Sequence, residues 1–174
     1  MSPKTVIFAA SSIVLLAADQ ATKAWVRGHL ALREDVPVID NFLSISHATN
    51  RGAAFSALAN FEYRLQVFYV FTAIAVGVLV HAFRQLPPED RLQSFAMGSI
   101  LSGAIGNLID RIMAGEVTDM VKVYFGSDPA KSWCIEHFGT NVYPIFNVTD
   151  AAIVVGVCIF AVASLFEKKQ AVEK

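Results

Sequence analysis

Apolar residues in this chain fall into four long runs, separated by two polar-rich segments and one short turn. A helix needs about 20 residues to cross the hydrocarbon core of a bilayer. Four segments meet that length, at about 5–26, 65–83, 92–113 and 148–166. The second carries no charge. The link between the second and third, Arg84-Gln85-Leu86-Pro87-Pro88-Glu89-Asp90-Arg91, has two prolines and four charges and predicts a tight, solvated helix–helix connection. The segments at about 27–64 and 114–147 follow a different period. Val36 to His47 alternates apolar and polar residues in its second half, as a half-buried strand does. Met120-Val121-Lys122-Val123-Tyr124-Phe125 is a second strand candidate, ended by the turn signal Gly126-Ser127-Asp128-Pro129. The pattern predicts one membrane domain over 1–174: an all-α core of four transmembrane helices with a small extracytoplasmic β-sheet head.

An even number of spans puts both termini on one side. The N-terminus, the Pro-Pro turn and the tail pack Lys4, Arg84, Arg91, Lys168, Lys169 and Lys174 into short stretches, and this density predicts cytoplasmic termini. The first run also reads as a secretory signal, with Lys4, an apolar core from Val6 to Ala18 and small residues at Ala17-Ala18. The other three runs keep the chain in a membrane on either reading. Composition agrees: 55% of residues are hydrophobic and 17% charged, against about 25% charged in a soluble domain. A net charge of −1 leaves no basic field for nucleic acid. Cys158 lies in the last apolar run and Cys134 in a polar loop, which speaks against a disulfide. The four histidines are scattered, so neither a metal site nor a cofactor is expected.

The candidate chemistry lies where apolar runs meet polar segments. Asp119 and Asp150 both stand at such junctions. An ionisable residue at membrane depth costs roughly 2.5–3.5 kcal/mol and marks function by default. Two acids meeting there form a shared-proton pair able to activate water. In the third run Ser99, Ser102, Gly103, Gly106, Asn107 and Asp110 recur at steps of three and four, which places them on one helix face that ends at Arg111. Small residues there let a second helix approach closely, and a plain packing seam capped by Asp110 and Arg111 is an equal reading. Asn50-Arg51-Gly52-Ala53-Ala54-Phe55 brings backbone close to a ligand or makes an ordinary turn. Asn147 is an N-cap candidate that puts Asp150 at the third helical position, a placement that by itself would explain that acid. Asp19 and Lys23, spaced i, i+4 with the acid first, can pair along one helix.

With these residues in place the chain resembles the lipoprotein signal peptidases, the type II signal peptidases of bacteria. The resemblance rests on Asp19-Gln20 with Lys23, the Asn50–Phe55 block, Gly106-Asn107 through Asp110-Arg111, Asp119, and Phe146-Asn147 with Asp150. It covers nearly the whole chain. It implies an aspartic endopeptidase of the bacterial inner membrane, in contact with membrane lipids and with its site near the extracytoplasmic face; a monomer is the expected state by default, since no exposed interface stands out in the sequence. Such an enzyme removes the signal peptide from diacylglyceryl-modified prolipoproteins, cutting before the lipidated cysteine. It implies Asp119 and Asp150 as the catalytic pair. Asn50, Gly52, Asn107, Arg111 and Asn147 would shape the site, with Asp19, Lys23 and Asp110 in support. The chain departs from the family pattern at Arg51, where a small polar residue is commoner, and at Thr149, where Ala is commoner. The stretch between the two acids is also long, with Lys131-Ser132-Trp133-Cys134 inside it.

The chemistry implied needs no metal, nucleotide or covalent nucleophile. One carboxylate takes a proton from water while its protonated partner donates toward the scissile carbonyl. Two other classes remain open on the residues alone. A proton-coupled carrier also places acids and lysines in a membrane, and a structural subunit would use its acids only as helix caps.

Overall fold

A computed structural model describes residues 1–52 and 61–172, with side chains of the last helix described as far as Phe166. Ala53, Ala54 and Phe55 therefore lie outside the described residues. Among the described residues four helices are long and apolar enough to cross a membrane: α1 (Pro3–His29), α2 (Arg64–Gln85), α3 (Arg91–Ala114) and the Val148–Phe166 part of α5 (Val148–Val172). Between them lie β1 (Asp35–Ile39), β2 (Leu43–Asn50), β3 (Val117–Val123) and the short helix α4 (Ala130–Phe138). The fold is thus mostly helical with a small antiparallel sheet, as the two periods in the sequence require.

The burial pattern is that of a membrane bundle. Ile13, Val14, Phe71, Ile74, Val154 and Leu165 stand outward, exposed, while the interior of the bundle holds small and polar side chains. α2 buries only Phe68. α3 is the central helix, packed against both α1 and α5. It buries Ser99, Ser102, Gly103, Gly106 and Asp110, the face that the three- and four-residue steps mark out. Close approach explains the glycines. A Cβ on Gly103 would lie 2.2 Å from Ile153 Cγ1 and 2.8 Å from the Thr149 carbonyl oxygen. One on Gly106 would lie 2.7 Å from Thr149 Cγ2 and 2.8 Å from Asp19 Oδ2. α3 begins at Asp90, whose carboxylate accepts the Gln93 N–H at 2.9 Å, and ends at Gly115 in the left-handed region (φ +75°).

The sheet has the order β1-β2-β3, antiparallel throughout. It rests on the end of α1, where Val26 and Leu30 pack with Met120, Ile45 and Val121. The second half of the Val36–His47 segment, expected as a strand, is β2, and its first half is a further strand, β1; Asn41 turns the chain between them in a left-handed conformation (φ 62°). β3 starts at Val117, three residues before the expected Met120, so Asp119 lies within the strand and not ahead of it. Its pairing with β2 extends the strand back to Asn50↔Val117. A register shift between Ile45 and Ala48 sets Ala48 opposite Asp119. Cys134, expected in a polar loop, is buried on α4, a helix too short for its period to show in the sequence. Both cysteines are free.

Candidate active site

Asp119 and Asp150 line one cleft of about 300 Å³, with Asn50, Gly52, Asn107 and Arg111. Its floor is apolar, formed by Ile153 and Val154 one turn into α5, and one wall is Tyr143-Pro144-Ile145-Phe146. Different elements bring the two acids here. β3 carries Asp119. Asn50, two residues beyond its cross-strand partner Ala48, lies on the same strand face and hydrogen-bonds its carboxylate. Asp150 sits in the first turn of α5.

That first turn is a reciprocal cap. The Asn147 side-chain oxygen accepts the Asp150 N–H at 2.9 Å, and Asp150 Oδ2 accepts the Asn147 N–H at 3.2 Å. The capping spacing in the sequence anticipated this arrangement. It did not show that the cap serves the other acid too. Asn147 Nδ2 also donates to Asp119 Oδ1 at 2.8 Å. Asn107 Nδ2 donates to Asp150 Oδ1 at 2.8 Å. Each carboxylate is thus held by a neutral amide, and both Asp150 oxygens accept N–H bonds. Backbone pairing sets the distance between the two carriers: the Phe146 carbonyl accepts the Met120 and Val121 N–H groups at 3.0 and 2.8 Å.

Asp119 is 3% exposed. Burial first, and the nearby charge of Asp150 second, push its carboxyl up to about 7, against the opposing hydrogen bonds of Asn50 and Asn147 and the charge of Lys23. A carboxyl that keeps its proton toward neutral pH beside a second acid can serve as a proton donor.

Behind the cleft lies a buried ionic cluster. Lys23 and Asp19 are both fully buried and pair at 2.9 Å, and Lys23 meets Asp110 at 2.9 Å. Its third donor reaches Asn107 Oδ1 at 3.1 Å. Every ammonium proton has an acceptor, which is the condition for keeping a lysine inside a membrane bundle. Arg27 approaches Asp110 at 3.6 Å, so two cations balance two carboxylates. The cluster positions the carriers of the pair. Asp110 Oδ2 accepts the Thr118 N–H at 3.1 Å, beside Asp119, and Asp19 Oδ1 accepts the Thr149 N–H at 3.3 Å, beside Asp150.

Arg111 stands at the rim. Its guanidinium lies 4.2 Å over the Phe68 ring and donates to the Gly52 carbonyl at 3.3 Å. Gly52 N–H in turn donates to Asn50 Oδ1 at 2.9 Å, so Arg111 and Asn50 together hold Gly52 just beyond β2.

All ten residues singled out in the sequence therefore meet here or directly behind. Two contributors were not foreseen. Thr149 is fully buried, and its hydroxyl has Asn147 Oδ1 at 2.7 Å, Asp19 Oδ1 at 3.1 Å and Asn107 Oδ1 at 3.2 Å. Its sequence signals are a hydroxyl at the mouth of an apolar run and the departure from the Ala commoner at this place in the family. The wall at Tyr143-Pro144-Ile145 gave no signal, since it is irregular chain held to β3 by bridges at Tyr124↔Val142 and Val121↔Phe146. Among the described residues no group of three or more His, Cys, Asp or Glu side chains is arranged to hold a metal ion.

Known proteins resemble this chain over most of its length. The lipoprotein signal peptidase of Geobacter sulfurreducens is 42% identical over 170 residues, covering 98% of both chains. That of Geobacillus kaustophilus is 38% identical over 157 residues, covering 90% of both. A bacterial membrane enzyme solved by the in meso method superposes with a TM-score of 0.77 at 26% identity, covering 94% of this chain and 90% of its own. Residues 11–166 match the family described as signal peptidase (SPase) II. On that match, and on identities near 40% over nearly the full length, the chain belongs to the signal peptidase II family.

Proposed function

We propose that this chain removes the signal peptide from diacylglyceryl-modified prolipoproteins, cutting before the lipidated cysteine, by aspartic catalysis at Asp119 and Asp150. One observation carries the catalytic type: two carboxylates share one cleft, each held by its own amide, and the charge of one raises the proton affinity of the other. Asp119, whose carboxyl is pushed up to about 7, donates toward the scissile carbonyl. Asp150, with both oxygens accepting N–H bonds, takes the proton from the attacking water. As the tetrahedral species collapses, the pair passes a proton to the leaving amine and returns to its starting state. Asn107 and Asn147 keep the carboxylates in register, and Arg111 with Gly52 and Asn50 supports the rim. Asp19, Lys23 and Asp110 hold the framework.

The location fits the substrate. A lipid-anchored cysteine holds its peptide bond near the bilayer surface. The cleft joins an apolar floor on α5 to the sheet outside the helices. We place it at the extracytoplasmic face of the inner membrane, with cytoplasmic termini, in a monomer surrounded by lipid, the whole chain forming one membrane domain. A carrier would need ionisable groups along a route across the bilayer. Here they gather at one end of the bundle, and a peptidase family is matched.

The test is cleavage of a diacylglyceryl-modified prolipoprotein in detergent, read by gel shift, beside Asp119→Asn and Asp150→Asn. Cleavage by the parent and by neither folded variant is expected. Undiminished cleavage by either variant removes that residue from the mechanism.

A further inference from the structure

The cleft does not end at the two acids. Asn50, Asp119, Pro144 and Ile145 also line a second groove, of about 660 Å³, that continues away from the membrane helices. Where the inner part of the cleft is floored by Ile153 and Val154, this outer groove is more polar, about half of its lining, and is flanked by Arg33, Arg51, Thr49 and Glu116. Asp119 stands at the junction. Resting on the peptidase reading above, we infer that the outer groove receives the polypeptide that follows the cleaved bond, and that Arg33 selects acidic residues in it.

The direction follows from solubility. The signal-peptide half of the substrate is apolar and belongs on the membrane side of the acids. The other half must leave toward water, and the groove is the polar path that opens from Asp119. The charge selectivity follows from pairing. Arg51 is engaged by Glu116 at 3.0 Å, so these two side chains neutralise each other. Arg33 has no side-chain partner among the described residues, and its backbone is fixed by a 2.7 Å bond from its N–H to the His47 carbonyl. Of the groove's two arginines it is the one that no acid pairs among the described residues.

The position selected follows from the sheet. Arg33 adjoins β2 on its β1 side, and Asp119 lies across β2 on β3. Two strand spacings amount to about 10 Å, which is the length of about three extended residues. Acidic side chains two to four residues beyond the cleaved bond would then face Arg33.

The experiment compares kcat/KM for lipidated prolipoproteins carrying Asp, Ser or Lys at these positions, using the full-length enzyme in zwitterionic detergent. The acidic substrate is expected to exceed the basic one by about three- to fivefold at low salt, the scale of an exposed ion pair. The difference should shrink in 0.5 M salt, roughly, where screening reaches a few ångström. Arg33→Glu should reverse the order and Arg33→Lys should keep it. Equal kcat/KM for all three substrates, or a preference that survives Arg33→Glu, overturns the inference and leaves the peptidase intact. Failure of the parent to cut any of them overturns the peptidase reading itself. The salt dependence of the parent decides the matter even if the Arg33 variants do not fold.

Discussion

Lys23→Met is the sharpest probe of the framework, because it removes one buried charge and nearly preserves volume. The Lys23 ammonium has Asp19 and Asp110 at 2.9 Å each and Asn107 at 3.1 Å. Without it, Asp19 keeps the Thr149 hydroxyl at 3.1 Å and Gln20 Nε2 at 3.0 Å, while Asp110 keeps the Thr118 N–H at 3.1 Å and Arg27 at 3.6 Å. Breaking a buried ion pair costs about 3–5 kcal/mol, since one charge is left uncompensated. The surviving hydrogen bonds place this case near the lower bound, at about 3 kcal/mol. Reversible unfolding in mixed micelles, followed by helical circular dichroism, measures the loss. The Asp110→Asn/Lys23→Met double variant then isolates the pair that joins α1 to α3, and a coupling energy of about 1.5 kcal/mol or more is expected between residues in such contact. A single-variant loss below about 1 kcal/mol, or strict additivity in the double variant, would refute the claim that charge pairing at Lys23 holds α1 and α3 together.

Three further outcomes follow from the site. The Asp119 carboxyl is raised from 3.8 to about 7, so the folded protein binds that proton more tightly than the unfolded chain does. Stability should therefore fall as pH rises from about 4 through 7, by about 2–4 kcal/mol, with cleavage declining above about 7. Asp119→Asn should abolish that slope in unfolding measured at about pH 4 and pH 7, the two ends of the window, and an unchanged slope counts against the assignment. Thr149→Val removes the hydroxyl that meets Asn147 and Asp19 and should cost about 1–3 kcal/mol. It should lower kcat more than it raises KM, and Thr149→Ser should restore both; equal kinetics for the Val and Ser variants would remove the hydroxyl from the argument. Gly103→Ala would press a methyl 2.2 Å from Ile153 Cγ1 and 2.8 Å from the Thr149 carbonyl, and should destabilise by about 1–3 kcal/mol. A variant as stable and as active as the parent would show that α3 and α5 pack less closely at this point.

The sequence by itself determined the elements whose signal is local. Run length marks the helices that can cross a bilayer, and the steps from Ser99 to Asp110 mark the buried face of α3, because helix geometry repeats within a few residues. The Asn147–Asp150 cap is equally local, since both of its bonds span three residues. Tertiary structure alone decided where β3 begins and that residues 130–138 form a helix. Strand ends depend on a distant partner, and short helices lack a period long enough to read. It also decided that one asparagine serves both acids. Asn147 reaches Asp119 across 28 residues, and Thr149 reaches Asp19 across 130. Residue types announced which side chains were costly to bury. Which groups share their hydrogen bonds is set by packing of α1, α3, β3 and α5 against one another, and no period in the chain encodes it.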